Sequence, residues 1–237
     1  MPRSLALALA LGASELASLF AHGILRRRQA RGKEEPARIG ERLGRASGPR
    51  PEGRLVWFHA ASVGESVSLL ALIEALLEAE PDLHVMVTTG TATSAGLIAD
   101  RLPERAFHQY IPLDTGPAVR RFLGHWRPDL AVWTESELWP RLIVSTANRG
   151  IPMLLINARM SARSAHRMQR MGRYGGSLLG RFSAILAQDD AQAERLLAVG
   201  APPERVEVTG SLNDTAQPLP HDEMALKNLM KQLSGRT

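Results

Sequence analysis

From Leu55 onward, short apolar runs alternate with amphipathic stretches, and this alternation narrows the possible folds more than any other feature of the chain. Strand-length apolar runs lie at Leu55–Ala60, Leu83–Thr88, Ala106–Ile111, Leu130–Thr134, Met153–Asn157, Ala184–Ala187 and Val206–Thr209. Between them, helical periodicity predicts helices near Glu65–Ala79, Ser94–Arg101, Pro117–Trp126, Leu138–Arg149, Ala162–Leu179 and Ala191–Val199. Gly or Pro punctuation closes several of these, as at Gly150-Ile-Pro152 and Gly200-Ala-Pro-Pro203. Short apolar strands separated by amphipathic helices predict an α/β fold: a Rossmann-like, doubly wound parallel sheet covered on both faces. No internal repeat is present.

With 237 residues, 44% of them hydrophobic, the chain can bury the core of one large domain with appendages. It has no cysteine, which excludes disulfides, thiolate nucleophiles and Cys-ligated zinc. No His-x-x-x-His or Asp-rich spacing suggests a metal, so no metal site is expected. No Gly-x-Gly-x-x-Gly follows a strand, so no dinucleotide cofactor is expected. The hydroxyl-rich run Thr88 to Gly96 reads as a Thr/Ser cap on the helix it enters. Ser62 lies close to His59, but the nucleophile elbow of a hydrolase is missing.

The net charge of +5 is concentrated: Arg26 to Arg54 holds ten Lys/Arg and four Glu, a surplus of +6 that leaves −1 for the rest. One basic stretch ahead of the first strand, with aromatics at only 5%, does not describe a nucleic-acid-binding face, and nucleic acid is not an expected partner. The Leu/Ala-rich run Leu5–Leu25 precedes it, with Arg26, Arg27, Arg28, Arg31 and Lys33 directly behind. That order predicts membrane attachment with the body in the cytoplasm, either as a single span or as a helix lying on the surface. Glu15, near the middle of the run, is costly in a span. A cleaved signal peptide fits less well, because the basic cluster follows the apolar run.

Candidate chemistry gathers at strand ends. The first strand runs into Ser62-Val-Gly-Glu65, which puts a carboxylate at the start of a helix, near the positive end of its dipole. In an open α/β sheet this rim is where ligands bind, and a fixed, ionised Glu65 suits a general base; the plain alternative is a helix-capping acid. Thr134-Glu-Ser-Glu-Leu-Trp-Pro140 leaves the fourth strand on the same rim, so Glu135 or Glu137 could face Glu65 across a cleft. Glu137 reads better as a helix-start acid, with Trp139-Pro140 for packing. Past the fifth strand, Arg159 and Arg163 are four residues apart, a spacing suited to phosphate or carboxylate if they share a helix face.

Taken together, Gly40-Glu-Arg-Leu-Gly44, His59-Ala-Ala-Ser-Val-Gly-Glu65, Pro112-Leu-Asp114, Glu135-Ser-Glu-Leu-Trp-Pro140, Asn157-Ala-Arg-Met-Ser-Ala-Arg-Ser164, Ala187-Gln188 and Val208-Thr-Gly-Ser-Leu212 resemble the amino-terminal half of the Kdo transferases. That family moves 3-deoxy-D-manno-octulosonic acid (Kdo) from CMP-Kdo to the lipid A precursor of Gram-negative bacteria. The resemblance implies the acceptor-binding half of a glycosyltransferase B-type fold, working by inverting, metal-independent transfer without a cofactor. It implies Glu65 as the base and Glu135 as the stabilising acid; together with the arginine spacing above, it predicts acceptor binding by Ser62, Val63, Gly64, Arg159 and Arg163. It also implies attachment to the cytoplasmic face of the inner membrane.

The family's usual lysine after Gly-Ser-Leu is replaced here by Asn213, which cannot supply positive charge to a leaving cytidylate. The chain stops at Thr237, where the nucleotide-sugar domain is expected to begin. The expected division is therefore 1–33 for the membrane helix and basic flank, 34–215 for the acceptor domain, and 216–237 for a linker into the donor domain. CMP-Kdo would then be bound only through a separate or missing domain. The alternative is a non-enzymatic, membrane-associated binding or scaffold module descended from the family.

Overall fold

The computed structural model describes residues 4–60, 64, 68–135 and 137–212. In chain order the helices are α1 (Leu5–Ala17), α2 (Ala21–Gln29), α3 (Ile39–Arg42), α4 (Leu70–Ala79), α5 (Ala92–Ala99), α6 (Gly116–Trp126), α7 (Pro140–Ala147), α8 (Ala162–Arg170), α9 (Tyr174–Leu179) and α10 (Asp190–Ala198). The strands are β1 (Arg54–His59), β2 (Leu83–Thr89), β3 (Ala106–Tyr110), β4 (Leu130–Thr134), β5 (Met153–Ala158), β6 (Ala184–Ala187) and β7 (Val206–Val208).

Among the described residues the seven strands all run parallel in the order β3-β2-β1-β4-β5-β6-β7, the doubly wound topology expected from the alternation. Side chains alternate across the sheet because the strand period is two. Val56 and Phe58 of β1 thus pack with Ile73, Leu77 and Ile98 of α4 and α5. Leu55 and Trp57 enter the larger cluster on the other face, with Phe122 of α6, Leu142 of α7, Ala165 of α8, Leu178 of α9 and Leu196 of α10. Within it, Trp57 meets Phe122 and Trp133 edge-on, with ring centroids 5.1 and 5.5 Å apart.

Periodicity predicted one helix over Ala162–Leu179, and there are two. Gly172, at φ 62°, lies between α8 and α9 in the left-handed region that ends helices and costs glycine little. The Thr91 side chain accepts from the Ser94 amide, the cap expected for the hydroxyl-rich run.

The amino terminus is built onto the larger face. Residues Leu5–Gln29 form one helical run of 25 residues, long and apolar enough to cross a membrane. It nevertheless packs on the domain through Leu7, Ala21 and Leu25, while Leu5, Leu9, Leu16, Leu19 and Phe20 are exposed. Glu15, costly in hydrocarbon, meets Arg141 at 3.1 Å and Arg120 at 3.5 Å. Arg141, in the first turn of α7, also donates to Ser14 Oγ at 2.8 Å and to the Leu11 carbonyl.

The basic flank then bends back onto β3. Buried Glu34 pairs with Arg28 and with buried Arg42, and Arg38 forks onto buried Glu41. Glu41 accepts from the Tyr110 amide, Arg38 donates to the His108 carbonyl, and Leu113 N–H reaches Arg42 O. Part of the basic surplus is thus spent on structure, leaving Arg26, Arg27, Arg31 and Lys33 exposed.

The turn closing this hook depends on Gly44, at φ 79°, where an added Cβ would lie 2.0 Å from the Ala118 carbonyl oxygen. Gly44→Ala is expected to cost about 3 kcal/mol through backbone strain and overpacking, lowering Tm by about 6–12 °C. An unchanged Tm in thermal unfolding would contradict this packing.

Candidate functional site at the carboxyl rim of the sheet

The strand order reverses at β1, which pairs with β2 on one side and β4 on the other. The next described helices after β1 and β4, α4 and α7, pack on opposite faces of the sheet, and the carboxyl ends of two such strands are the usual ligand site of this topology. Both expected acids belong to these exits. Of the β1 exit, Gly64 is exposed, whereas Ser62, Val63 and Glu65 lie outside the described residues, as does Asn213.

Glu135 follows β4 directly. Its backbone sits at φ 55°, and its amide donates to Ile156 O at 3.1 Å. A carboxylate residue held in the left-handed region carries strain of about 1 kcal/mol or more, a cost concentrated at functional sites. The side chain is 14% exposed and accepts from Arg159 Nε at 2.8 Å. Two residues expected at the site, one an acid and the other a cation, are thus brought into contact. The Arg159 side chain is 56% exposed, and a guanidinium has donors enough for a second anion besides Glu135.

These two side chains border a hollow of 420 Å³, completed by Met160, Ser161, Ser164, Gln192 and Arg195. Ser161 caps α8 by accepting from the Ser164 amide at 3.2 Å. Gln192 accepts from the Met160 amide at 2.8 Å, and Arg195 donates to the Met160 carbonyl at 3.4 Å. The α10 side chains therefore fix the backbone that carries Arg159. Arg163 lies in the first turn of α8, exposed, and does not border the hollow.

Two residues that matter here are missing from the candidates drawn from sequence. Asn157, at φ 51° and buried, accepts through Oδ1 from Gln188 Nε2 at 2.8 Å and from the Leu212 amide at 3.1 Å. It ties the end of β5 to the loops after β6 and β7, beside a smaller hollow of 260 Å³ lined by Ile156, Leu186 and Thr209 to Leu212. The signal in the sequence was an Asn at a strand end, a residue that tolerates positive φ.

His59 is the second. Its Nδ1 lies 3.1 Å from the Thr88 carbonyl, which can only accept, so Nδ1 carries the proton. Burial lowers its pKa to about 3, leaving a neutral ring edge-on to Trp133 and Trp139. Thr134 Oγ1 donates to His59 O at 3.0 Å and locks the two strand exits together.

Glu137 accepts from Trp139 Nε1 at 3.0 Å; α7 begins only at Pro140 with no acid in its first turn, so Glu137 stands ahead of the helix and not in its start as expected. Asp114 reaches across to cap α7, accepting from the Arg141 and Leu142 amides at 3.0 and 2.8 Å. Burial raises its pKa. Among the described residues no cluster of three or more metal-ligating side chains occurs.

Among solved structures, the chain is similar to a Listeria monocytogenes protein described as a UDP-N-acetylglucosamine 2-epimerase, with TM-score 0.53 and 16% identity over 76% of this chain and 52% of that one. It is also similar to the Anabaena protein HepE in complex with UDP and glucose, with TM-score 0.51 and 11% identity over 76% of this chain and 50% of that one. Those likenesses concern the fold alone, that of one half of the glycosyltransferase B-type architecture.

Sequence relatives are closer. A probable mitochondrial 3-deoxy-D-manno-octulosonic acid transferase of Arabidopsis thaliana is 39% identical over 86% of this chain and 45% of its own length. The 3-deoxy-D-manno-octulosonic acid transferase of Haemophilus influenzae is 35% identical over 82% of this chain and 47% of its own length. The chain thus spans about half the length of these relatives. Residues 37–214 match the family described as 3-deoxy-D-manno-octulosonic-acid transferase (kdotransferase). The chain belongs to the Kdo transferase family, whose amino-terminal domain it carries.

Proposed function

We propose that this chain is the acceptor-binding part of an enzyme moving Kdo from CMP-Kdo to a lipid A precursor. The observation that carries the reading is the Glu135–Arg159 pair at the rim where the sheet reverses. In this reading Arg159 and Arg163 receive an acceptor phosphate, Glu65 takes the proton of the attacking hydroxyl, and Ser62, Val63 and Gly64 shape the turn that presents it. Glu135 stabilises developing positive character on the transferred sugar. Transfer is inverting and uses no metal. CMP-Kdo is held by a nucleotide-sugar domain, with residues 34–215 as the acceptor unit and 216–237 leading away from it. Residues 1–33 attach the protein to the cytoplasmic face of the inner membrane.

Attachment by lying on the bilayer fits the docked helix better than spanning. Withdrawing α1 into hydrocarbon would strip Glu15 from Arg141 and bury its charge. The exposed leucines already form an apolar face of the kind that enters the headgroup boundary.

The purified chain is expected to bind phosphorylated lipid A precursor in detergent. Arg159→Ala should weaken that binding about tenfold, the loss of one charged contact. Absence of binding by the unaltered chain would overturn the acceptor reading and leave the non-enzymatic module.

A further inference from the structure

The charge count hides a second basic region. From Arg159 to Gln188 there are six arginines and no Asp or Glu, a surplus that acids elsewhere cancel in the total. On α8, Arg163, Arg167 and Arg170 follow one another at spacings of four and three, which aligns them on one helix face, and Arg173 comes just beyond. All four are exposed, and among the described residues none forms an ion pair with a carboxylate. The opposite side of α8 packs Ala165 and Met168 into the larger core cluster.

The same cluster receives Leu7 and Leu11 of α1. Both helices therefore cover one face of the sheet, with α9 touching each of them. One turns leucines outward and the other turns arginines outward. An apolar row and a cationic row on the same side of the sheet, with α9 in contact with both helices, are complementary to a bilayer with anionic headgroups.

We propose that the arginine stripe of α8 is a second membrane contact that binds anionic lipid headgroups and, with α1, sets how the domain lies on the bilayer. This rests on the membrane-attachment reading above. Each arginine near an anionic surface strengthens binding about fivefold, so removing three is expected to weaken binding roughly 100-fold.

The test uses the full chain and vesicles of phosphatidylcholine alone or with phosphatidylglycerol. The variant R167Q/R170Q/R173Q leaves the proposed acceptor contacts and the basic flank at 26–33 untouched. Expected are a preference of the unaltered chain for anionic vesicles, a roughly 100-fold loss of that preference in the variant, and its recovery with Lys at the same three positions. Binding to phosphatidylcholine, which depends on α1, should not change.

Undiminished binding of the variant to anionic vesicles overturns the proposal while leaving attachment through α1 intact. Failure of the unaltered chain to bind either vesicle overturns attachment itself. Loss of duplex DNA binding in the variant, with vesicle binding unaffected, assigns the stripe to nucleic acid and also overturns it.

Discussion

Lowering the pH from 7 to 5 is expected to remove about 4 kcal/mol from the stability of the fold, shared by His59 and His108. Burial lowers both pKa values from 6.5 to about 3, with Arg38 adding to the effect at His108. Both rings are thus neutral in the folded protein across this range. In the unfolded chain they gain protons below about pH 6.5, so acid favours unfolding, and the loss grows until the folded pKa is reached. At pH 5 each ring accounts for about 2 kcal/mol.

Denaturant unfolding measured at intervals between pH 7 and 5 reads this directly, as does a fall in Tm of about 8–16 °C. Replacing both histidines by Gln should flatten the profile, whatever it does to stability at pH 7. A profile as steep in the double variant as in the unaltered chain would refute the assignment. The two sites differ in neighbourhood: His59 lies under the rim beside Trp133, whereas His108 sits between Thr89 and the Arg38 guanidinium.

Replacing Glu65 by Gln is expected to lower Kdo transfer by roughly 10²–10⁴, the usual contribution of a general base. Glu135→Gln should cost roughly 10²–10³, the scale of one preorganised electrostatic contact. Both are measured with CMP-Kdo and lipid A precursor in the presence of a donor-binding domain. In each case Gln keeps the shape and most of the hydrogen bonding, so the change isolates the charge.

The two losses should also differ in kind. On the proposed reading, the Glu65 variant should fall in kcat and not recover as the acceptor concentration rises. The Glu135 variant additionally frees Arg159 from its ion pair, and acceptor affinity should hold or improve. Transfer within tenfold of normal in the Glu65 variant would sink the base assignment. Transfer absent from the unaltered chain as well would favour the binding module.

The sheet was legible because burial on both faces makes parallel strands read as continuous apolar runs, and β4 and β6 begin and end where those runs do. The split between α8 and α9 was not, since the apolar period continues across Gly172 and only the backbone conformation there ends the helix. Glu135 stood out because an acid at a strand end has few structural duties. Asn157 did not, since its work depends on Gln188 and Leu212, which only the fold brings near. Arg141 escaped notice for the same reason: its partners on α1 lie 127 and 130 residues away in the chain. The arginines of α8 were concealed by arithmetic, because a net charge taken over many elements averages away a single helix face.

The hook over β3 bears on how this protein tolerates trimming. The His108 carbonyl and the Tyr110 amide are taken up by Arg38 and Glu41, which cover part of this edge strand against a neighbouring molecule. A shortened chain begun just before β1, the obvious cut for removing the greasy helix, would uncover that strand border and invite self-association into sheets. Cutting after Lys33 keeps the seal in place. Soluble versions of the domain should therefore start there, and their monodispersity will depend on it.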